Sequence, residues 1–356
     1  MSYPLKHPSD GWLMSCARGD LVGARQVEER AIELLRRHYG PERAETLYAM
    51  DNLAATLEDL GELATAQAMQ ERLLSTRERI NGPHHRDNFS AMYNLAQTLR
   101  ARGKFKAAQT LQRRVLDGMT QLFGPDHRET LIAIETLAQT HLELGEFKQT
   151  EQLERRVVET RTRVLGPEHP DTLAKLMDLA ETLRMQGKRA EAQRLQEQAL
   201  QSQVRQLGPE HPESLLSANQ LALILSEQGH FEEALKLLKN VFDIRMRNWG
   251  PDRSSTRKSM YLLATTNFNK RDLPAARVMA RRHWDASREA LGPDAAETKA
   301  AARFHSFVVR WIWRRRLVLA IGLVGGPLVA ATVIANYTGF IDIDSFARGM
   351  RSWLGQ

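Results

Sequence analysis

The chain has 356 residues, of which 26% are charged and one is cysteine, and its formal net charge is +7. The single Cys16 excludes an internal disulfide and any cysteine-based zinc site, and it is typical of a reducing compartment. Six basic residues and no acidic one lie between Lys299 and Arg316, so residues 1–298 carry only +1. A surface that follows phosphates would need a far larger excess of basic residues in the folded part, and nucleic acid is therefore not an expected partner.

A period of 42 residues organises the sequence. The segment Val164–Leu176, VLGPEHPDTLAKL, returns 42 residues later as QLGPEHPESLLSA. The dipeptide Gly-Pro keeps this spacing through seven occurrences, which begin at Gly40, Gly82, Gly124, Gly166, Gly208, Gly250 and Gly292. A fixed period of this length is the signature of stacked structural repeats.

Residues 171–208 show what one repeat encodes. A first helix is predicted to begin at Asp171, since the preceding Pro170 disfavours helical dihedrals at His169. Its apolar residues have the spacing of one buried helical face, and they are Leu173, Leu176, Leu179, Ala180 and Leu183. Gly187 is expected to end this helix, because glycine adopts the left-handed conformation found past helix ends. A second helix is predicted from Arg189 to Gln206.

Two columns of the repeat do not vary over six copies. One is leucine (Leu53, Leu95, Leu137, Leu179, Leu221, Leu263), and the other is the alanine that follows it (Ala54, Ala96, Ala138, Ala180, Ala222, Ala264). A third column of small residues lies on the second helix (Ala66, Ala108, Thr150, Ala192, Ala234, Ala276). Facing small residues predict that the two helices of a pair approach closely, because larger side chains would overpack the contact.

At these residues the sequence resembles the tetratricopeptide repeat family, in the 42-residue variety seen in kinesin light chains. The motif LGPEHPDTL, the Leu-Ala pair and the Gly-Lys/Glu-Phe turn extend this resemblance over about residues 10 to 300. It implies an all-α fold, a right-handed α-solenoid of about seven antiparallel helix pairs over residues 1–298. The resemblance also implies that the first helix of each pair lines a concave groove that holds extended peptides.

The loop histidines His85, His127, His169 and His211 form a column that resembles a metal site. Equivalent residues of stacked repeats lie roughly 8–10 Å apart, whereas zinc needs several ligand atoms at about 2.0–2.1 Å. We therefore expect these histidines to fix the loops. The sequence also has no phosphate loop, no His-Glu-x-x-His and no serine elbow. The chain is interpreted as a non-enzymatic protein without a cofactor or metal.

The helical wheel places positions 48, 51, 52, 55, 58 and 59, with their counterparts every 42 residues, opposite the buried leucine. One of these columns reads Asn52, Asn94, Thr136, Asp178, Gln220 and Leu262. Side-chain amides bond both donors and acceptors of a peptide backbone, so such a ladder suits peptide capture. The candidate groove residues are Asp51, Asn52, Asn94, Gln97, Thr136, Asp178, Glu181 and Gln220. The alternative is a merely solvated helix face.

Charge indicates which ligand such a groove would prefer. The six columns hold eight acids (Asp51, Glu58, Asp59, Glu135, Glu143, Asp178, Glu181, Glu227) and three bases (Arg100, Arg184, Lys258). Because complementary potentials guide partner choice, a neutral-to-basic peptide is expected. Family members that clamp a terminal carboxylate carry Lys or Arg in early groove columns. Here those places hold Ser90, Asn94, Ile132, Thr136, Ala174 and Asp178, so no such clamp is expected.

The last part of the sequence predicts a membrane anchor. A basic juxtamembrane helix over residues 299–316 ends in Arg314, Arg315 and Arg316 and is followed by 25 residues without charge, Leu317 to Ile341. At about 1.5 Å per residue this run can cross a bilayer core of roughly 30 Å, and the transmembrane helix is placed at residues 317–338. The flanking arginines predict repeats on the cytoplasmic side, in a single-pass, tail-anchored arrangement.

Three details of this region carry expectations of their own. Gly322 and Gly326 form a small-residue stripe that could pair two such helices into a homodimer. Trp311 and Trp313 suit either the membrane interface or a cap on the last repeat. Residues 339–356 are predicted to be a short amphipathic tail on the far membrane surface.

Together these features predict a membrane-anchored scaffold or adaptor, which binds a peptide or helix of a partner protein in its groove at the cytosolic face. The alternative is a structural subunit of a membrane complex, assembled through the transmembrane tail.

Overall fold

The computed structural model describes residues 20–83 and 85–324, with side chains described as far as Arg314. Within these residues the chain forms fourteen helices and no strand. The helices are α1 (Leu21–Tyr39), α2 (Ala44–Asp59), α3 (Leu63–Asn81), α4 (Arg86–Ala101), α5 (Phe105–Phe123), α6 (Arg128–Glu143), α7 (Phe147–Leu165), α8 (Pro170–Met185), α9 (Arg189–Leu207), α10 (Pro212–Gln228), α11 (Phe231–Trp249), α12 (Ser254–Asn269), α13 (Leu273–Leu291) and α14 (Ala296–Val324).

Each repeat consists of a shorter first helix and a longer second helix. The first helices, called A-helices, are α2, α4, α6, α8, α10 and α12, and the second helices, called B-helices, are the odd-numbered ones. The B-helices α3 to α13 have 19 residues each. In the repeat of residues 171–208, the helices span Pro170–Met185 and Arg189–Leu207, which confirms the predicted boundaries to within one residue.

The chain divides into two compact units, with the boundary between Leu195 and Gln196 inside α9. In the first unit, α1 to α8 follow one another as antiparallel neighbours, each packed on the next. Apolar clusters around Leu53, Met92 and Ile134 fill the space between them. In the second unit, α10 to α14 pack in the same sequential manner around Leu221 and Leu263. The fold is all-α, and each unit is a solenoid of stacked helix pairs.

The three columns predicted from the repeat are all in the interior. The leucine column is 2–6% exposed, the alanine column 0–3%, and the small column on the B-helices 0%. The small side chains of the two helices are thus buried together in the core of a pair, as Ala96 and Ala108 are. Because every added methylene in such a tightly packed contact forces a backbone shift, only small residues fit there.

Four of the Gly-Pro turns between repeats are held by a side chain of the next A-helix. The glycines adopt positive φ, from +72° at Gly250 to +95° at Gly166, a conformation that L side chains rarely adopt. At Gly40, Gly82, Gly124 and Gly208, a buried polar side chain in the following first turn donates to the glycine carbonyl, as in Thr130 Oγ1 to Gly124 at 2.7 Å and Ser214 Oγ to Gly208 at 2.8 Å. This polar column was not recognised in the sequence.

The final helix, α14, begins at the position of an A-helix but is longer than the other A-helices, with 29 residues. Its first part packs on α13 and buries Ala301 and Val308, so the predicted basic helix over residues 299–316 belongs to this longer element. The Trp311 ring meets Phe268 edge-on, with centroids 5.7 Å apart, whereas Trp313 is 62% exposed. Of the two tryptophans, Trp311 therefore caps the last repeat.

Among the helices that the structure describes, none combines the length and the apolar character needed to cross a bilayer. The predicted span over residues 317–338 coincides with α14 as far as Val324. The remainder of the predicted span, which includes Gly326, lies outside the described residues. The same holds for Cys16 and for the predicted tail over residues 339–356. Arg315, Arg316 and Gly322 belong to α14, but their side-chain environment is not among the described features. The side chain of Arg314 is exposed.

Candidate peptide-binding surface

In the first unit, consecutive A-helices lie side by side. Thr98 of α4 donates a hydrogen bond to Glu58 of α2. Arg100 of α4 holds Glu143 of α6 through two nitrogens, at 2.6 and 3.1 Å. Lys175 of α8 lies 3.3 Å from Glu135 of α6. These contacts join α2, α4, α6 and α8 into one continuous face, which we call the A-helix surface.

The predicted ladder of polar residues runs across this surface with increasing exposure. Asn52 is only 6% exposed, and its Oδ1 has no partner among the described residues. Asn94 is half-buried, and its side chain makes no hydrogen bond within the described part of the chain. Thr136 is half-buried and donates to its own helix, at Ala133 O 3.0 Å away. Asp178 has a side chain that is 55% exposed. Asn94 is therefore the accessible amide of the four.

The other candidate residues are partly engaged by neighbours on their own helix. Gln97 accepts a hydrogen bond from Arg100 Nη1 at 2.8 Å. Arg184 holds Glu181 at 2.6 Å. In the second unit, Gln220 is half-buried on α10, and its buried Oε1 has no partner among the described residues. The structure thus places the candidates on A-helix faces, but it leaves only some of their polar atoms available.

Most of the predicted acidic character is neutralised within the protein. Five of the eight acids form ion pairs, namely Asp51 with Arg77, Glu135 with Arg161, Glu143 with Arg100, Asp178 with Lys175, and Glu181 with Arg184. Arg77 and Arg161 come from B-helices, 26 residues after their partners, and reach the A-helix surface from behind. Burial raises the pKa of Asp51, while Arg77 opposes that rise. These B-helix arginines could not be predicted from the helical wheel, because a wheel relates only residues of the same helix.

Beneath the A-helix surface, a column of Glu and Gln on the B-helices meets threonines of the next A-helix. Thr56 donates to Glu28 at 2.8 Å, and the Oγ1 of Thr98, which donates to Glu58, lies 2.7 Å from Oε1 of Gln70. At Glu154, burial raises the pKa to about 7, although a hydrogen bond from Thr182 favours the charged form. The Oε2 of Glu154 is buried and has no partner among the described residues.

The loop histidines have the loop-fixing role that was predicted. Nδ1 of His85, His127, His169 and His211 accepts the backbone N–H two residues later, at 3.2–3.3 Å, at the start of an A-helix. Each histidine thereby satisfies one of the free N–H groups at a helix N-terminus. The described residues contain no group of three or more His, Cys, Asp or Glu that could hold a metal ion.

Comparison with known proteins finds one matching family model and several solved structures with a similar fold. The tetratricopeptide repeat family model matches residues 49–121, 87–163, 155–203 and 171–247. A solved structure of TPR-like repeats from Podosopora anserina, from a protein assigned as a kinesin light chain, is 26% identical with a TM-score of 0.53, over 56% of this chain and 95% of that chain. A search of curated protein sequences finds no significant match.

Two further structures share the fold at lower identity. BtubC (BKLC) from P. vanneervenii is 17% identical with a TM-score of 0.53, over 65% of this chain and 93% of that chain. A tetratricopeptide repeat protein from Parabacteroides merdae is 14% identical with a TM-score of 0.56, over 86% of this chain and 98% of that chain. The family matches together extend over residues 49–247, more than half of the chain, and coincide with the observed helix pairs. The chain belongs to the tetratricopeptide repeat family.

Proposed function

We propose that this protein is a membrane-anchored scaffold, whose A-helix surface binds a peptide or helix of a partner protein on the cytosolic side. Tetratricopeptide repeats serve protein–protein interaction, which supports the general role. The observation that carries the binding proposal is the continuous A-helix surface, which presents the unengaged amide of Asn94 on α4 and the exposed carboxylate of Asp178 on α8. An amide can accept from and donate to the backbone of an extended ligand. No catalytic role is proposed.

The proposed ligand is a neutral-to-basic segment. The groove columns hold more acids than bases, and Asp178 remains 55% exposed although Lys175 contacts it. A basic ligand would compete with Lys175 for this carboxylate, so its advantage should be strongest at low salt, where charge screening is weakest. A glutamate-rich peptide that bound more tightly than its lysine-rich counterpart at every salt concentration would contradict this preference.

Membrane attachment is proposed from the uncharged run Leu317–Ile341 and from α14, which leads into it without a break as far as Val324. A shared helix of this kind would fix the orientation of the second unit relative to the bilayer. Pairing through Gly322 and Gly326 would add a homodimer. The full chain should remain in the membrane pellet after carbonate extraction, whereas a Val329→Asp/Val333→Asp variant should move to the supernatant. Equal behaviour of the two proteins would refute the anchor.

The binding proposal is tested by capture of partners from gently solubilised membranes with the full chain. An Asn94→Ala/Asp178→Ala variant removes the ladder's accessible side chains, and Gln121→Ala/Gln152→Ala is a matched control on exposed B-helix positions. Partners lost only from the first variant, with the helical content unchanged by circular dichroism, would support the scaffold. Partners retained by both variants but lost from Val329→Asp/Val333→Asp would favour the structural subunit assembled through its tail.

A further inference from the structure

Arg245, on α11 of the second unit, is a buried cation without a counter-charge. It is 4% exposed, and its Nη1 donates to the carbonyl of Ser255 at 2.9 Å and to Ser259 Oγ at 2.8 Å. Its Nε is buried and has no acceptor, and no carboxylate among the described residues forms an ion pair with it. Burial alone lowers the pKa of Arg245, with no acid to oppose this effect.

Other buried or half-buried arginines of this chain do have a carboxylate. At the equivalent place in the repeat, Arg77 pairs with Asp51, and Arg161 pairs with Glu135 at 2.5 Å. Arg257, 3% exposed, pairs with Glu297 at 2.7 Å. An arginine at this repeat position is therefore accompanied by an acid in the first unit and by none in the second.

The residue at the repeat position of the missing acid explains the difference. The 42-residue period aligns Asn219 of α10 with Asp51 and Glu135, so an amide replaces the acid. Asn219 is 3% exposed, and both its Oδ1 and its Nδ2 lack a partner within the described residues. Leaving a charge buried and uncompensated is strongly destabilising, and so is leaving a buried amide without hydrogen bonds. Both costs would be removed by an anion that accepts from Arg245 and Asn219 together.

We propose that Arg245 and Asn219, between α10 and α12, form a carboxylate-binding subsite for a carboxyl group of the bound partner protein. This inference rests on the proposed function, since it assigns one chemical feature of the partner. A carboxylate is the fitting anion because the same chain places a carboxylate beside the equivalent arginine twice. The guanidinium also supplies parallel N–H donors, which suit the two oxygens of a carboxylate.

The neighbouring A-helix residues of the subsite are less buried than Arg245 and Asn219 themselves. Tyr261 of α12 is 42% exposed, and Gln220, next to Asn219, is half-buried with a further unpaired oxygen. Arg245 itself comes from the B-helix α11 and donates towards α12, through the hydrogen bonds to Ser255 and Ser259. A partner's acidic side chain or its C-terminus would supply the same group.

The test measures the thermal unfolding midpoint of the full chain with small carboxylates at constant ionic strength. The probes are N-acetyl-aspartate methylamide, for a side-chain carboxylate, and N-acetyl-alanine, for a chain terminus. N-acetyl-asparagine methylamide is the neutral control. We expect the wild type to be stabilised in a saturable manner by one or both carboxylates and not by the amide, since a ligand that binds only the folded state raises its stability. The more effective probe identifies the source of the carboxyl group.

The decisive variant is Asn219→Asp, which supplies the acid internally as Asp51 does. It should have a higher midpoint than the wild type without any probe, and it should no longer respond to carboxylates. An equal response of both proteins, or no response of the wild type, would overturn the subsite. The Asn94→Ala/Asp178→Ala variant of the first unit should retain the response. Loss of partner capture in that variant with the carboxylate response intact separates the two proposals, since each has its own readout.

Discussion

The ring of Phe89 lies directly over the backbone of Gly118, in the contact between α4 and α5. A Cβ placed on Gly118 would stand 2.1 Å from Cζ of Phe89, which is far inside any real contact. In four other repeats the residue equivalent to Phe89 is the smaller leucine, namely Leu47, Leu131, Leu173 and Leu215. The larger ring is thus accommodated by the missing side chain of a glycine inside a helix.

Gly118→Ala should therefore destabilise the protein, even though alanine is favoured over glycine in a helix by about 1 kcal/mol. Overpacking of a buried contact typically costs about 1–3 kcal/mol, so the free energy of unfolding should fall in urea denaturation. In a Phe89→Leu background the clash is absent, and the same substitution should be neutral or stabilising. A loss of equal size in both backgrounds would show that the ring is not responsible.

Arg271 occupies a place that glycine holds in the other repeats. It is the only non-glycine residue with positive φ in the described part of the chain, at +69°, where Gly187 and Gly229 have +79° and +88°. A non-glycine residue in this conformation is strained by about 1–2 kcal/mol. Arg271→Gly should raise the free energy of unfolding by about 1 kcal/mol or less, because glycine also gains entropy in the unfolded chain. The reverse change, Gly229→Arg, should lower it, and two changes of the same sign would refute this.

The carboxyl of Glu154 should make stability depend on pH. Its pKa is raised from 4.5 to about 7 in the folded protein, so between these values the folded state holds more protons than the unfolded state. The stability contributed by this group is fully present below the unfolded pKa and is lost as the pH rises through about 7. Gln70, Gln112 and Gln196 stand at this place in other repeats and carry no charge.

Glu154→Gln should therefore stabilise the protein at high pH, by about 2–3 kcal/mol at pH 9, with a difference that disappears below about pH 4.5. Urea denaturation of both proteins at several pH values measures this difference. Glu159→Gln, at an exposed position of the same helix, is the matched control and should change little. A gain from Glu154→Gln that did not depend on pH would rule out titration of this carboxyl as its cause.

His169 and His230 both stand at helix N-caps, but only His169 caps its helix with a side-chain hydrogen bond. Its Nδ1 accepts the N–H of Asp171 at 3.2 Å, whereas His230 stands at the N-cap of α11 without a side-chain hydrogen bond. Removing an N-cap acceptor costs about 0.5–2 kcal/mol, so His169→Ala should destabilise more than His230→Ala. His169→Asn should restore most of the loss, since asparagine is a good N-cap residue. Equal effects of the two alanine changes would contradict this role.

The sequence by itself determined the repeat architecture. The 42-residue period, the Leu-Ala pair and the facing small column predicted the helix pairs, their boundaries and their buried columns, because these features depend on residues that lie near one another in the chain. The same reasoning assigned the loop histidines to structure. Local periodicity suffices here, since each helix buries the stripe that its own sequence encodes.

Only the tertiary structure decided which polar atoms of the candidate groove residues are available to a ligand. Asn52 is buried and Asn94 is not, although both occupy the same column, and the acid Asp51 is neutralised by Arg77 from another helix. The unpaired Arg245 likewise becomes visible only when the side chains around it are known. Long charged side chains reach across helix contacts, so their partners depend on three-dimensional packing rather than on position in the repeat.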